Sequence, residues 1–217
     1  MECGVSSGAW ADDHGQIRGV GAQGIHCGDD RVVSHAVLMV DGKEPEWVST
    51  QVHGAHSVDY VHFVRVQSSA ADPLVHLIRK RTADAAGISE SIHIESAQDF
   101  LVHLEVECSI TVDNTPMEKV KSGNAAASEL TVDGLEWNWC TAETRARLDA
   151  GSAATHFAGD TIRLTWSVEL GPGDGGASLA LEPLRCRRAH GGTQHLPSRS
   201  STPRGPQTRS TDEPLCL

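Results

Sequence analysis

Apolar and polar positions alternate with a period of two along much of this chain. Over residues 58–66, Val58, Tyr60, His62, Val64 and Val66 fall on one side, and Asp59, Val61, Phe63 and Arg65 on the other. Over 74–82, Leu74, His76, Ile78 and Lys80 oppose Val75, Leu77, Arg79 and Arg81. Ile88, Glu90, Ile92 and Ile94 repeat the pattern more weakly before a turn at 96–99. The longest alternating run is 100–112, with Leu104, Val106, Cys108, Ile110 and Val112 against His103, Glu105, Glu107 and Ser109. Over 161–170, Ile162, Leu164, Trp166 and Val168 alternate with Arg163, Thr165 and Ser167. Side chains that point to opposite faces in turn are the mark of a strand. Such clean alternation predicts antiparallel sheets packed on one side and wet on the other.

The stretch 12–45 shows how the chain is punctuated. It opens with a polar turn at Asp13-His14-Gly15, runs through a glycine-rich segment from Arg18 to Gly24, and continues as an apolar strand over 32–40. Asp41-Gly42 favours positive φ and reverses the chain, which makes 46–52 the expected returning strand. Gly19 to Gly24 fits G-x-G-x-x-G, but polar residues precede it and a β-like run follows, so it lacks the strand-to-helix setting of a dinucleotide loop. Asp133-Gly134 sits between strands expected at 129–132 and 135–140, a hairpin signal, and 144–148 is a further short strand. Pro116 marks 115–123 as a connection. About ten strands and no amphipathic helix predict an all-β antiparallel β-sandwich.

Charge divides the chain. The stretch 185–217 holds six arginines against Asp212 and Glu213, and four of the nine prolines. The preceding 184 residues carry 12 basic and 27 acidic groups. That composition predicts a lead-in over 1–11, a sandwich over 12–184 and a disordered tail over 185–217. An acidic body disfavours nucleic acid and anionic membrane as partners, because phosphate contacts need Lys and Arg. No apolar run reaches membrane-spanning length. The six cysteines form no C-x-x-C pair and no signal-peptide pattern opens the chain, so the expectation is reduced thiols in a cytoplasmic protein.

Gly15-Gln16-Ile17-Arg18, Gly24-Ile25, Asp29, Arg31, Val33-Ser34, Val40-Asp41-Gly42 and Pro45 fall in an order and spacing that belongs to a known family. The stretch resembles the opening of the N-terminal domain of bacterial glycogen debranching enzymes of the amylo-alpha-1,6-glucosidase type. His26 and Cys27 stand where that family usually carries an aromatic and a bulky residue. The resemblance extends to about Leu170. It implies a β-sandwich placed ahead of a helical-barrel catalytic domain, with the catalytic acids on the barrel. Beyond 184 family members continue toward that barrel and this chain does not, so the expectation is a stand-alone or truncated copy. Its expected partners are a helical-barrel glycosidase domain or neighbouring chain and an α-glucan; the alternative is a β-sandwich interaction module with no carbohydrate role.

The residues themselves suggest no catalytic set, cofactor or metal. Glycoside hydrolysis needs two carboxylates flanking the bond, and most acids here alternate with apolar residues on wet strand faces. Asp29, Asp30 and Arg31 read as a turn whose acid pairs with the arginine. The twelve histidines show no recognised metal-ligand spacing. The candidate glucan or domain-interface residues are Trp137, Trp139, Gly21, Gly24 and Ile25. Trp137 and Trp139 are two apart and share one strand face, which is either core or else a sugar-stacking platform or domain contact.

Overall fold

The alternating runs become strands with one buried face in a computed structural model, which describes residues 6–66, 74–84, 87–123, 130–133, 136–140, 144–173 and 176–188. The first strands are β1 (Ser7–Trp10), β2 (Ile17–Arg18), β3 (Gly24–Cys27) and β4 (Asp30–Val40). They are followed by β5 (Glu46–Val52), β6 (Ser57–Val64), β7 (Val75–Asp84) and β8 (Gly87–Ser96). The long β9 (Val102–Pro116) runs into a single helical turn, α1 (Met117–Lys121). Then come β10 (Leu130–Asp133), β11 (Glu136–Cys140), β12 (Thr144–Asp149), β13 (Ala154–Ala158), β14 (Thr161–Leu170) and β15 (Ala177–Arg188). Fifteen strands among the described residues replace the expected ten or so.

All pairings are antiparallel, in two sheets. The first has the order β1-β3-β4-β9-β14-β13, with β2 on β4; the second has the order β10-β11-β12-β15-β8-β7-β6-β5. Leu38, Leu77, Ile92, Ile94, Ile162 and Leu164 are fully buried between them. The strands expected on either side of Asp133-Gly134 pair, with Asp133 opposite Glu136; Gly134 lies outside the described residues. Asp41 and Gly42 take the expected positive φ of 51° and 72°. The returning strand, however, does not pair with β4. β5 crosses to the second sheet and pairs with β6, because a tight turn fixes a reversal of direction but not the edge that the next strand joins.

The turn 12–16 packs on β6 and β7 of the second sheet. Asp12 Oδ1 accepts the N–H groups of His14 (3.0 Å) and Gln16 (2.8 Å) and closes the turn. Gly15 lies on the Tyr60 ring at φ 81°, where a Cβ would sit 2.6 Å from a ring carbon, so only glycine fits. Its carbonyl accepts from Arg79 Nη1 (3.0 Å) and Arg81 Nη2 (2.9 Å). Both arginines lie on the buried face of β7, and both donate through Nε to Glu90 on β8, each at 2.6 Å. Burial alone would push the Glu90 carboxyl up, but the two guanidinium charges outweigh it and hold it at about 2.

Within the expected lead-in, Ser7–Trp10 forms an edge strand paired with β3. The boundary at 184 cuts through β15, since Arg185 to Arg188 pair with β12; residues 189–217 lie outside the described residues. The expectation of reduced thiols also fails for one pair. Cys27 on β3 and Cys186 on β15 form a disulfide, Cα–Cα 6.2 Å, across 159 residues of sequence. Only the sheet topology brings them together, so spacing could not reveal them. Cys108 is a buried free thiol, pushed up to about 12 by burial and therefore neutral and inert. A chain ending at Leu184 loses this cross-link and four ladder pairs. Relative to one ending at Arg188, it should lose about 2–4 kcal/mol, or roughly 5–15 °C in thermal midpoint by circular dichroism. An unchanged midpoint would show that the last strand and its bond contribute nothing.

Candidate functional site

A cleft of about 350 Å³ opens on the first sheet beside the glycine-rich segment. It is lined by Gly19, Gly21, Arg31, Ser34, His35, Val112, Asp113, Val120, Gly123 and Asp160. The β4–β9 register shifts between Arg31 and Val33 and again between Val33 and His35. These irregularities let Arg31, Ser34 and His35 share one concave surface, which strict alternation would forbid.

The floor of the cleft is an ion pair. Arg31 Nε donates to Asp113 Oδ2 at 2.6 Å, with side chains only 9% and 4% exposed. Arg31 Nη1 also reaches the Gln23 carbonyl at 3.4 Å. Asp113 Oδ1 accepts the Asn114 N–H (2.7 Å) and the Thr115 hydroxyl. Higher on the wall, His35 Nδ1 lies 3.2 Å from Ser34 Oγ. Behind the glycine-rich segment, His26 Nε2 lies 3.1 Å from the Ala22 carbonyl, and its ring meets Trp10 edge-on at 4.6 Å. Burial lowers the His26 pKa, so the ring stays neutral at neutral pH and props the segment without adding charge.

The residues singled out from sequence separate sharply. Gly21 lines the cleft mouth. Gly24 sits against its floor: a Cβ there would lie 2.5 Å from Arg31 Cδ and 2.7 Å from the Val33 carbonyl oxygen, so the bare backbone makes room for Arg31. Ile25 is buried in the core opposite Val33, which removes it as an exposed interface residue. Trp137 and Trp139 are 2% and 1% exposed, so the core alternative holds and the platform does not. Trp139 Nε1 donates across the sandwich to the Val32 carbonyl (2.8 Å), and Trp137 meets Phe157 edge-on at 5.1 Å. Arg31 takes Asp113 as its partner, 82 residues away, where a local partner was expected.

Sequence reasoning missed Trp47. It lies on the edge strand β5, 43% exposed, with His14 stacked on it at 5.1 Å. Its Nε1 donates to Thr50 Oγ1 (3.0 Å), and that hydroxyl donates to the Asp13 carbonyl (2.6 Å). Val48 and Val52 on the same strand are 41% and 71% exposed. Among the described residues β5 has no partner on its outer edge, and a strand edge with exposed apolar groups is a surface suited to a partner. No helix among the described residues is long and apolar enough to cross a membrane.

The order of glycine-rich segment, β4 and long β9 that builds the cleft lies within residues 6–176, which match the family model of the N-terminal domain of (some) glycogen debranching enzymes. The chain belongs to this family. The family match takes in fourteen of the fifteen strands and ends just before β15. Every residue that lines the cleft is therefore part of the debranching-enzyme N-terminal domain. No curated protein matches the chain.

Proposed function

We propose that this debranching-enzyme N-terminal domain is non-catalytic, packs on a helical-barrel glycosidase domain and shapes the rim of an α-glucan site. Family membership over residues 6–176 is the observation that carries this reading. Two features of the molecule support it. Asp113 is fixed by three hydrogen bonds, which suits a recognition group better than a proton donor or nucleophile. The exposed valines and Trp47 along β5 supply apolar area for a domain contact.

The test is to mix the chain with a separately expressed helical-barrel domain from a debranching enzyme and follow the complex by sedimentation velocity. A complex is expected, and Val48→Lys with Val52→Lys should weaken it at least tenfold while leaving the circular dichroism unchanged. No complex at about 100 μM, a concentration that reveals even weak association, would sink the docking half of the proposal. Retardation in a glycogen-containing gel tests the glucan half. An unretarded chain would favour an interaction module with no carbohydrate role. The chain alone should release no glucose from limit dextrin; sustained release that is abolished by replacing one of its acids would overturn the non-catalytic reading.

A further inference from the structure

We infer that the cleft over the Arg31–Asp113 pair binds a single neutral hexopyranose ring through two adjacent hydroxyls, an inference that rests on the α-glucan reading above. The size is suitable, since pockets for small ligands run from about 300 to 1,000 Å³ and this one stands at the small end.

The floor offers complementary groups side by side. A guanidinium has five N–H donors, and Arg31 commits Nε to Asp113 and one Nη1 proton to Gln23. A carboxylate has about four acceptor positions, and the hydrogen bonds of Asp113 occupy two at Oδ1 and one at Oδ2. Among the described residues a donor on Arg31 and an acceptor position on Asp113 thus remain, which is what a vicinal diol requires: one hydroxyl accepts from Arg31 while its neighbour donates to Asp113. Because both partners are charged, these bonds are stronger than neutral ones.

The walls select the class of ligand. Asp113 and Asp160 outweigh Arg31, so a phosphate or carboxylate meets net negative charge. Val112 and Val120, 2% and 7% exposed, form the apolar backing of the wall, while Ser34 and His35 stand where outer hydroxyls would reach. Gly19, Gly21 and Gly123 leave the mouth without side chains.

Amide chemical-shift mapping of the full chain with maltotriose tests the inference directly on the wild type. Saturable shifts should cluster at Gly19, Gly21, Ser34, His35 and Gly123, and inorganic phosphate should not compete. Ser34→Trp, a filling change at a half-buried position on the cleft wall, should weaken binding at least tenfold with the fold intact by circular dichroism. Asp160→Ala, on an exposed turn, should weaken it several-fold and serves as a second variant. Absence of saturable shifts at millimolar sugar, shifts centred on Trp47, affinity unchanged in both variants, or competition by phosphate would overturn the inference. Failure here with the barrel complex intact removes the cleft and leaves the docking proposal standing; loss of the complex with sugar binding intact does the reverse.

Discussion

Replacing Trp137 and Trp139 together by serine should unfold the domain. Both rings lie between the sheets, and each removal takes away a large buried aromatic at a cost of about 3–5 kcal/mol. Two such losses approach or exceed a total stability of about 5–15 kcal/mol. The Trp139 change does further damage, because its indole N–H is bonded to the Val32 carbonyl and serine cannot span the same distance. Circular dichroism and size-exclusion chromatography report the outcome. Trp47→Ser is the matched control: it removes the same type of side chain from an exposed edge strand, where 43% of it is already in water. Its cost should be below about 1 kcal/mol. A double variant with native circular dichroism and a native elution volume would mean that this strand is not core.

Which parts of this molecule the sequence announces depends on how regular each strand is. Thr161–Leu170 forms over the predicted span, and β9 buries the predicted face over 102–112, because both sit inside the first sheet and alternate without interruption there. β13 escaped notice for the opposite reason: all five of its residues are exposed, so no buried face imposes a pattern. β15 is broken by a bulge between Leu181 and Leu184, which resets its alternation. The tryptophan pair was readable only as sharing a face; whether that face is core depends on β13 and β4 arriving opposite it. The cleft was partly legible, through the glycine-rich segment at its mouth. Its floor was not, because Arg31 and Asp113 meet only when β4 pairs with β9. The two buried arginines show the same limit. Alternation puts Arg79 and Arg81 on the side of Val75 and Leu77, but nothing local says that this side is buried until Glu90 and the Gly15 carbonyl are placed beside them.

That buried cluster yields the second large effect. Glu90→Gln keeps the size of the side chain and removes its charge, leaving two guanidinium groups that are 1% and 4% exposed without their shared counter-charge. Breaking a buried ion pair from one side typically costs about 3–5 kcal/mol. The damage should spread to the turn 12–16, since the same arginines hold the Gly15 carbonyl and, through Arg79, Gln16 Oε1. The wild-type acid response gives an independent check. The Glu90 carboxyl is held at about 2 in the folded protein, against about 4.3 in an unfolded chain. A carboxyl depressed on folding stabilises fully above its unfolded pKa, and that contribution falls away as pH drops through the folded value. The wild type should therefore lose about 3 kcal/mol between roughly pH 5 and pH 2 from this group alone. Glu90→Gln, with nothing to protonate there, should start lower at pH 7 and lack that share of the decline. Urea unfolding of both proteins at pH 7, 4 and 3 reads the difference. Parallel curves across that range would show that Glu90 does not bind its proton differently in the folded and unfolded states, and that the arginines are balanced by something other than this carboxylate.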